Sequence, residues 1–292
     1  MSCTLCPRRC GADRKNSIGI CGASDTLKIA RAMPHFWEEP CISGINGSGT
    51  VFFSGCQLGC VYCQNREISR AQAGKEITCE RLVEIYFELA QKGVHNINLV
   101  TPDPYLPLIK ASVIQAKEQG LALPFLMNCS GYETVEMIRS MDGLIDIFLP
   151  DFKYMSPLLS KKYSHASDYP AVAKKALAEM VRQQPKAVFD RDGMMQKGVI
   201  VRHLLLPGCT EDSKRVLAYL YQTYKHSIYI SIMSQFTPLG LKEYPDLDRC
   251  VAETEYEELI DFAQKLGVTR AYIQEGSAAS ESFIPAFDCE GV

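Results

Sequence analysis

Residues 54–65 read Ser54-Gly55-Cys56-Gln57-Leu58-Gly59-Cys60-Val61-Tyr62-Cys63-Gln64-Asn65, and they place three cysteines within eight positions after an apolar strand. In a chain with thirteen cysteines among 292 residues, this C-x3-C-x2-C spacing should arise by chance roughly 0.03 times. Three thiolates can each hold one iron of a cubane cluster, and the fourth iron is then open to a small molecule. We therefore predict an iron–sulfur ligand loop.

The loop resembles that of the radical S-adenosylmethionine (radical SAM) superfamily, with an aromatic residue before the third cysteine and Gln64-Asn65 after it. Within that superfamily the chain is similar to pyruvate formate-lyase activating enzymes and their relatives. The resemblance implies a [4Fe–4S] cluster on Cys56, Cys60 and Cys63. It extends from about Ala32 to the C-terminus and includes Pro34-His35-Phe36-Trp37-Glu38-Glu39-Pro40, Asp151-Phe152-Lys153 and Arg202-His203-Leu204-Leu205-Leu206-Pro207-Gly208.

Composition describes a globular protein, with 47% apolar and 22% charged residues. A net charge of −3 and a pI near 6.0 give no reason to expect nucleic acid as a partner. We expect no membrane span and no signal peptide, because apolar runs of the required length are missing, and we expect a cytoplasmic protein. Clustered cysteines in a reducing compartment favour metal binding over disulfides.

The first 45 residues are predicted to form a separate cysteine-rich module, and residues 46–292 the catalytic domain. Cys3, Cys6, Cys10 and Cys21 have the spacing of a four-thiolate site for zinc or for a second iron–sulfur cluster, and spacing alone does not separate the two. The alternative is a set of free cysteines on an irregular arm. Because the module is basic, it is a candidate docking surface for an acidic electron donor such as a flavodoxin, although charge runs are usually solvated faces.

Apolar strands alternate with amphipathic helices after the cysteine loop, which predicts a parallel sheet covered by helices. The family resemblance makes this an incomplete, open (β/α)6-type barrel. An inserted hairpin is predicted at 188–197, where Asp192-Gly193 is a turn signal. The predicted strands are 50–54, 96–100, 122–128, 144–149, 198–205, 227–233 and 270–274. The clearest helices are 78–92, 106–118, 134–141, 171–183, 212–224 and one beginning at Thr254.

Polar residues follow the predicted strands, where active-site loops of parallel α/β proteins collect. The resemblance implies that Lys153 neutralises the methionine carboxylate of SAM, with Asp151 facing the same site, unless the two form a structural salt bridge. It also favours Arg202 as a cofactor contact. The remaining candidates are Asp103 for the methionine ammonium, Asn128 and Ser130 as polar contacts, Gln235 for ribose or adenine, and Tyr62 beside the adenine.

Several of these residues have a structural alternative: Asp103, Asn128 and Ser130 are also typical of turns. The pair Glu38-Glu39 has no cofactor assignment, and we expect an exposed turn before Pro40, although two carboxylates there can also hold a substrate or move a proton.

The leading functional hypothesis is a radical SAM enzyme that forms a 5′-deoxyadenosyl radical and abstracts hydrogen from a substrate. By resemblance we prefer a glycyl-radical enzyme or a peptide as substrate, with flavodoxin or ferredoxin as electron donor, over a small molecule. The alternative is an iron–sulfur or zinc protein without catalytic activity, which serves as an electron carrier or scaffold.

Overall fold

The computed structural model describes residues 2–274 and 285–292. Within these residues, ten strands form one sheet. They are β1 (Leu27–His35), β2 (Ser48–Phe53), β3 (Lys75–Ile77), β4 (Ile97–Val100), β5 (Phe125–Cys129), β6 (Ile147–Pro150), β7 (Val188–Phe189), β8 (Met195–Leu204), β9 (Tyr229–Met233) and β10 (Ala271–Ile273).

Seven of the described strands run parallel, in the order β2-β4-β5-β6-β8-β9-β10. All residues of β2, β4 and β6 are buried, as expected for parallel strands covered on both faces. Over the described part of the chain the sheet does not close, because β10 ends one edge and β3 the other. The predicted open, incomplete barrel is therefore confirmed, and all seven predicted strands are present with ends displaced by at most three residues.

Helices connect the parallel strands. Thr78 caps α3 as predicted, since its side chain accepts a hydrogen bond from the Arg81 amide at 3.2 Å. The helix predicted from Thr254 begins one residue earlier, and Glu255 binds the Ala252 amide at 2.9 Å. The helices are α1 (Pro40–Ser43), α2 (Arg66–Ser69), α3 (Cys79–Gln91), α4 (Leu106–Glu118), α5 (Val135–Ser140), α6 (Pro157–Ser164), α7 (Tyr169–Gln183), α8 (Thr210–Tyr224) and α9 (Glu253–Leu266). None of them is long and apolar enough to cross a bilayer.

Two antiparallel strands extend the sheet at the β2 edge and were not predicted. β1 pairs with β2, and β3 pairs with β1. Thus part of the predicted cysteine-rich module, from Leu27 onward, contributes a strand to the main sheet, while the division of the chain at residue 45 stays a prediction. The predicted hairpin is confirmed, because β7 pairs antiparallel with β8.

The segment between β1 and β2 closes one end of the open barrel. Its short helix α1 places Ile42 against Leu126, Ile147, Leu149 and Ile200, which face the barrel interior. This end carries the amino-terminal ends of the parallel strands, because the side chain of Asn96, which precedes β4, donates a hydrogen bond to the Ile42 carbonyl at 2.8 Å. The barrel interior is therefore plugged at this end, and the cysteine loop lies at the other.

Candidate active site

The cysteine loop follows β2 and is held by backbone hydrogen bonds to other parts of the chain. The Cys56 amide donates to the Cys21 carbonyl at 3.0 Å, and the Val61 amide to the Tyr163 carbonyl at 2.9 Å. Gly55 has a φ of 99°, and a Cβ there would lie 2.8 Å from the Cys21 carbonyl oxygen, so only glycine fits. The local sequence thus fixes the loop in a conformation that presents its cysteines to the barrel interior.

Cys56, Cys60 and Cys63 line one end of a cavity of about 380 Å³ inside the open barrel. No three His, Cys, Asp or Glu side chains of residues 2–274 and 285–292 converge on a single metal ion. A cubane does not require this, because each cysteine holds a different iron, whereas ligands of a tetrahedral zinc lie about 3.8 Å apart. The thiol donors and the adjoining cavity fit a cluster with an accessible iron.

The surroundings of the thiols are partly polar. Ser164 donates a hydrogen bond to the Cys60 sulfur at 3.0 Å. Burial raises the pKa of the Cys56 and Cys63 thiols, and metal binding would favour their thiolate forms instead. Ser164 was missed because α6 was not predicted, although Ser156-Pro157 is a helix-start signal and Ser156 does cap the helix.

The cavity gathers all but one of the site residues predicted in the catalytic domain. Lys153 and Asp151 form the salt bridge that was the alternative to a cofactor contact, with the Lys153 nitrogen 2.5 Å from a carboxylate oxygen and side chains that are 17% and 25% exposed. Burial opposes ionisation of Lys153, but Asp151 and the neighbouring Cys60 raise its pKa, so it is charged. The predicted residues that line the cavity are Cys56, Cys60, Tyr62, Cys63, Asn128, Ser130, Asp151, Lys153, Arg202 and Gln235.

Tyr62 and Gln235 are each held in place by a neighbour at the cavity wall. Tyr154 donates a hydrogen bond to the Tyr62 hydroxyl at 2.7 Å, and the Gln235 carbonyl accepts one from Gln64 at 3.0 Å.

Gln64 and Thr101 also line the cavity. Thr101 has a φ of 55°, a conformation rare outside glycine and often found at functional sites.

Arg202 reaches the cavity floor but is engaged by two carboxylates. Its Nη2 lies 2.7 Å from Glu39 and also contacts Glu38, while its Nε donates to Glu39 at 2.9 Å. Asn98 binds Glu38 at 2.8 Å. The expected exposed Glu38-Glu39 turn is therefore wrong: both side chains are less than 10% exposed, because Arg202 from a distant strand compensates their charge.

A family model described as the radical SAM superfamily matches residues 50–220, more than half of the chain. The chain belongs to the radical SAM superfamily. Uncharacterized protein MJ0674 of Methanocaldococcus jannaschii is 26% identical over 93% of this chain and 77% of its own length. The pyruvate formate-lyase-activating enzyme of Clostridium pasteurianum is 25% identical over 70% of this chain and 82% of its own length.

The fold is also similar to a solved structure, HydG, a maturase of the [FeFe]-hydrogenase. The TM-score is 0.51 at 15% identity, over 75% of this chain and 49% of that one. At this identity the similarity concerns the fold alone. It agrees with the open parallel barrel described above.

Asp103 is the one predicted contact that is not at the wall of the radical SAM cavity. It begins a short 3-10 turn after β4 and is 1% exposed, and neither of its carboxylate oxygens has a hydrogen-bond partner of normal geometry. The structure places it beside Gln57 and Glu133, behind the cavity wall. Its predicted contact with the methionine ammonium is not favoured by this placement.

The four amino-terminal cysteines of this radical SAM protein lie in one neighbourhood, and all are free thiols. Cys10 and Cys21 both approach Gly19, where an added Cβ would lie 3.5 and 3.3 Å from their sulfur atoms. Cys6 is close enough to Cys3 and Cys21 for their charges to interact. A second metal site on these residues stays a prediction.

Arg8 joins this module to the cluster loop. Its guanidinium donates hydrogen bonds to the carbonyls of Gln57 at 2.9 Å, Leu58 at 3.1 Å and Ser164 at 2.9 Å, and also to His165. It lies over the Tyr132 ring at 5.2 Å. The module is thus docked directly against the loop that carries the cluster ligands.

Proposed function

We propose that this protein uses a [4Fe–4S] cluster and SAM to generate a radical that abstracts hydrogen from a protein or peptide. The observation that carries the proposal is that three cysteine thiols and the Asp151–Lys153 pair line one cavity inside the open barrel. Cys56, Cys60 and Cys63 would hold the cluster, which would supply the electron for reductive cleavage of SAM and so for hydrogen abstraction from the substrate. The protein residues bind, orient and shield these groups.

The proposed roles follow the position of each side chain. Lys153 carries a charge beside the cysteine loop, and its proposed role is to pair with the methionine carboxylate in place of, or together with, its salt bridge to Asp151. Asn128 and Ser130 offer hydrogen bonds from the ends of neighbouring strands, and Tyr62 with Gln235 forms an aromatic and polar wall for the adenosine. The barrel end that is plugged by α1 and the buried side chain of Tyr62 keep water out of the cavity. Exclusion of water protects a radical from side reactions.

A protein substrate is proposed because a relative that covers most of this chain is a pyruvate formate-lyase-activating enzyme. A glycine-bearing loop or an extended peptide can enter the open side of an incomplete barrel. A low-potential flavodoxin or ferredoxin is the proposed reductant. The basic amino-terminal module, docked beside the cluster loop, is the proposed surface for it.

The proposal is tested by anaerobic reconstitution with iron and sulfide. After reduction, the electron paramagnetic resonance spectrum should change on addition of SAM, and 5′-deoxyadenosine should form. An unchanged spectrum without this product would instead support an electron carrier or scaffold.

Substitution Lys153→Met is expected to weaken SAM binding by about 10- to 100-fold, because a charge-assisted hydrogen bond is lost at a buried position. Equilibrium binding of SAM to the reconstituted protein measures this, with iron content as the check that the cluster is intact. Lys162→Met is a matched control, since Lys162 pairs with Asp246 at a partly exposed position. Equal SAM affinity in both variants would exclude the proposed role of Lys153.

A further inference from the structure

A closed group of oxygen atoms lies behind the cavity wall, and the proposed reaction does not use it. It is formed by Gln57, Asp103 and Glu133, which are 3%, 1% and 0% exposed. The three residues come from the cysteine loop, from the turn after β4 and from the turn after β5. The group therefore joins three neighbouring loops at the carboxyl ends of the strands.

Four side-chain oxygens of this group have no hydrogen-bond partner of normal geometry, although Gln57 and Glu133 lie close enough to Asp103 to affect the pKa of its carboxyl. They are Gln57 Oε1, Asp103 Oδ1, Asp103 Oδ2 and Glu133 Oε2. Buried polar atoms in proteins are almost always paired, so four orphaned acceptors at one place require a missing donor or ion. The other oxygen, Glu133 Oε1, accepts from Ser130 at 3.1 Å and from the Tyr132 amide at 3.0 Å.

The two carboxyl groups also lack a basic partner. Within the described residues, no lysine, arginine or histidine nitrogen forms a salt bridge with Asp103 or Glu133. The nearby Arg8 is engaged by backbone carbonyls, including those of Gln57 and Leu58. Uncompensated charge at such depth costs several kcal/mol, so the two carboxyls are either protonated or neutralised by a bound cation.

Two simpler explanations compete with a bound ion. Burial raises the pKa of Asp103 to about 6, and burial together with Asp103 raises that of Glu133, so a proton can be shared between them. One shared proton pairs two of the four oxygens and leaves two unpaired, whereas a proton on each carboxyl would pair all four, so only a salt-specific response separates a bound cation from two protons. Turning the Gln57 amide would place its oxygen 3.5 Å from Glu133 Oε1, acceptor against acceptor.

We propose that Gln57, Asp103 and Glu133 bind a hard metal cation through these oxygens, in a closed site behind the cluster loop. Carboxylate and amide oxygens are the ligands preferred by sodium, potassium, magnesium and calcium, and thiols are not needed. The cation neutralises the buried charge and satisfies all four acceptors at once. It also ties Gln57, the neighbour of Cys56, to the loops that form the cavity wall.

Elemental analysis and thermal unfolding of the reconstituted full-length protein test this proposal. The protein is freed of loosely bound metal, dialysed against choline chloride, and then titrated with potassium, sodium, magnesium or calcium chloride at constant ionic strength. One of these salts should give about one bound cation per chain and raise the unfolding midpoint by about 3 °C or more over choline chloride.

The double variant D103N/E133Q keeps the shape of the site and removes its charge, so it should lose both the bound cation and the salt-specific rise. The variant E179Q is the control, because Glu179 is a buried carboxylate that is paired with Arg139 and Arg182 instead. A wild-type protein that retains no cation and unfolds at the same temperature in every chloride would overturn the proposal. The wild-type result decides the matter even if the double variant does not fold.

Discussion

Replacing Cys56, Cys60 and Cys63 together by alanine is expected to lower bound iron by about four atoms per chain and to reduce SAM cleavage to background. The three thiols line the same cavity end, and the loop that presents them is fixed by Gly55 and by hydrogen bonds to Cys21 and Tyr163. Iron and sulfide analysis, with an assay for 5′-deoxyadenosine, measures both effects.

Cys250→Ala is the matched control, since Cys250 is exposed and far from the loop in sequence. It should leave iron content and cleavage unchanged. Because Cys3, Cys6, Cys10 and Cys21 remain in the triple variant, any residual iron reports on the amino-terminal module. Undiminished SAM cleavage in the triple variant would refute the cluster assignment and the proposed function with it.

Substitution Arg202→Met is expected to destabilise the protein by about 3–5 kcal/mol, because it leaves Glu38 and Glu39 buried without a compensating charge. Both carboxylates contact the guanidinium, and their side chains are 7% and 5% exposed. Urea unfolding of the two proteins measures the difference. Arg139→Met is the control, because Arg139 is 63% exposed and its salt bridge with Glu179 is worth little.

The pH dependence separates lost charge compensation from lost packing. Burial opposes ionisation of Glu39, but Arg202 outweighs it and lowers the pKa of that carboxyl. In the wild type this contribution to stability is present above the unfolded pKa of about 4.3 and is lost as the pH falls through the lower folded pKa. In Arg202→Met the folded pKa should instead lie above the unfolded one, so acidification from neutral pH should stabilise the variant. If the free energy of unfolding depends on pH in the same way in the wild type and in Arg202→Met, the loss of stability comes from packing instead.

The parallel core of the fold was predictable because its strands are nearly continuous apolar runs. β1 was not, because its sequence LKIARAMPH mixes charged and apolar residues without regular alternation, and its place in the sheet depends on pairing with β2 and β3. Strands of this kind are determined by tertiary contacts more than by local pattern.

For the candidate site, too, local sequence predicted the residues near strand ends but not those positioned by tertiary contacts. Residues at or shortly after the ends of the predicted strands, such as Asn128 and Lys153, line the cavity because strand ends meet at one edge of a parallel sheet. Glu38 and Glu39 were expected at the surface, since their partner lies more than 160 residues away in sequence. Asp103 has the right position in the chain, but the turn after β4 directs its short side chain behind the wall.

The contacts of Arg8 also bear on the order in which the chain folds. Its partners lie 49 to 157 residues further along the sequence, in the cluster loop and at the end of α6. Contacts of such sequence separation require the intervening sheet and carry a large loop-closure entropy. The amino-terminal module is synthesised first, yet it has nothing to dock on until the chain as far as residue 165 has formed. We therefore expect it to be among the last parts to acquire protection from hydrogen exchange during refolding.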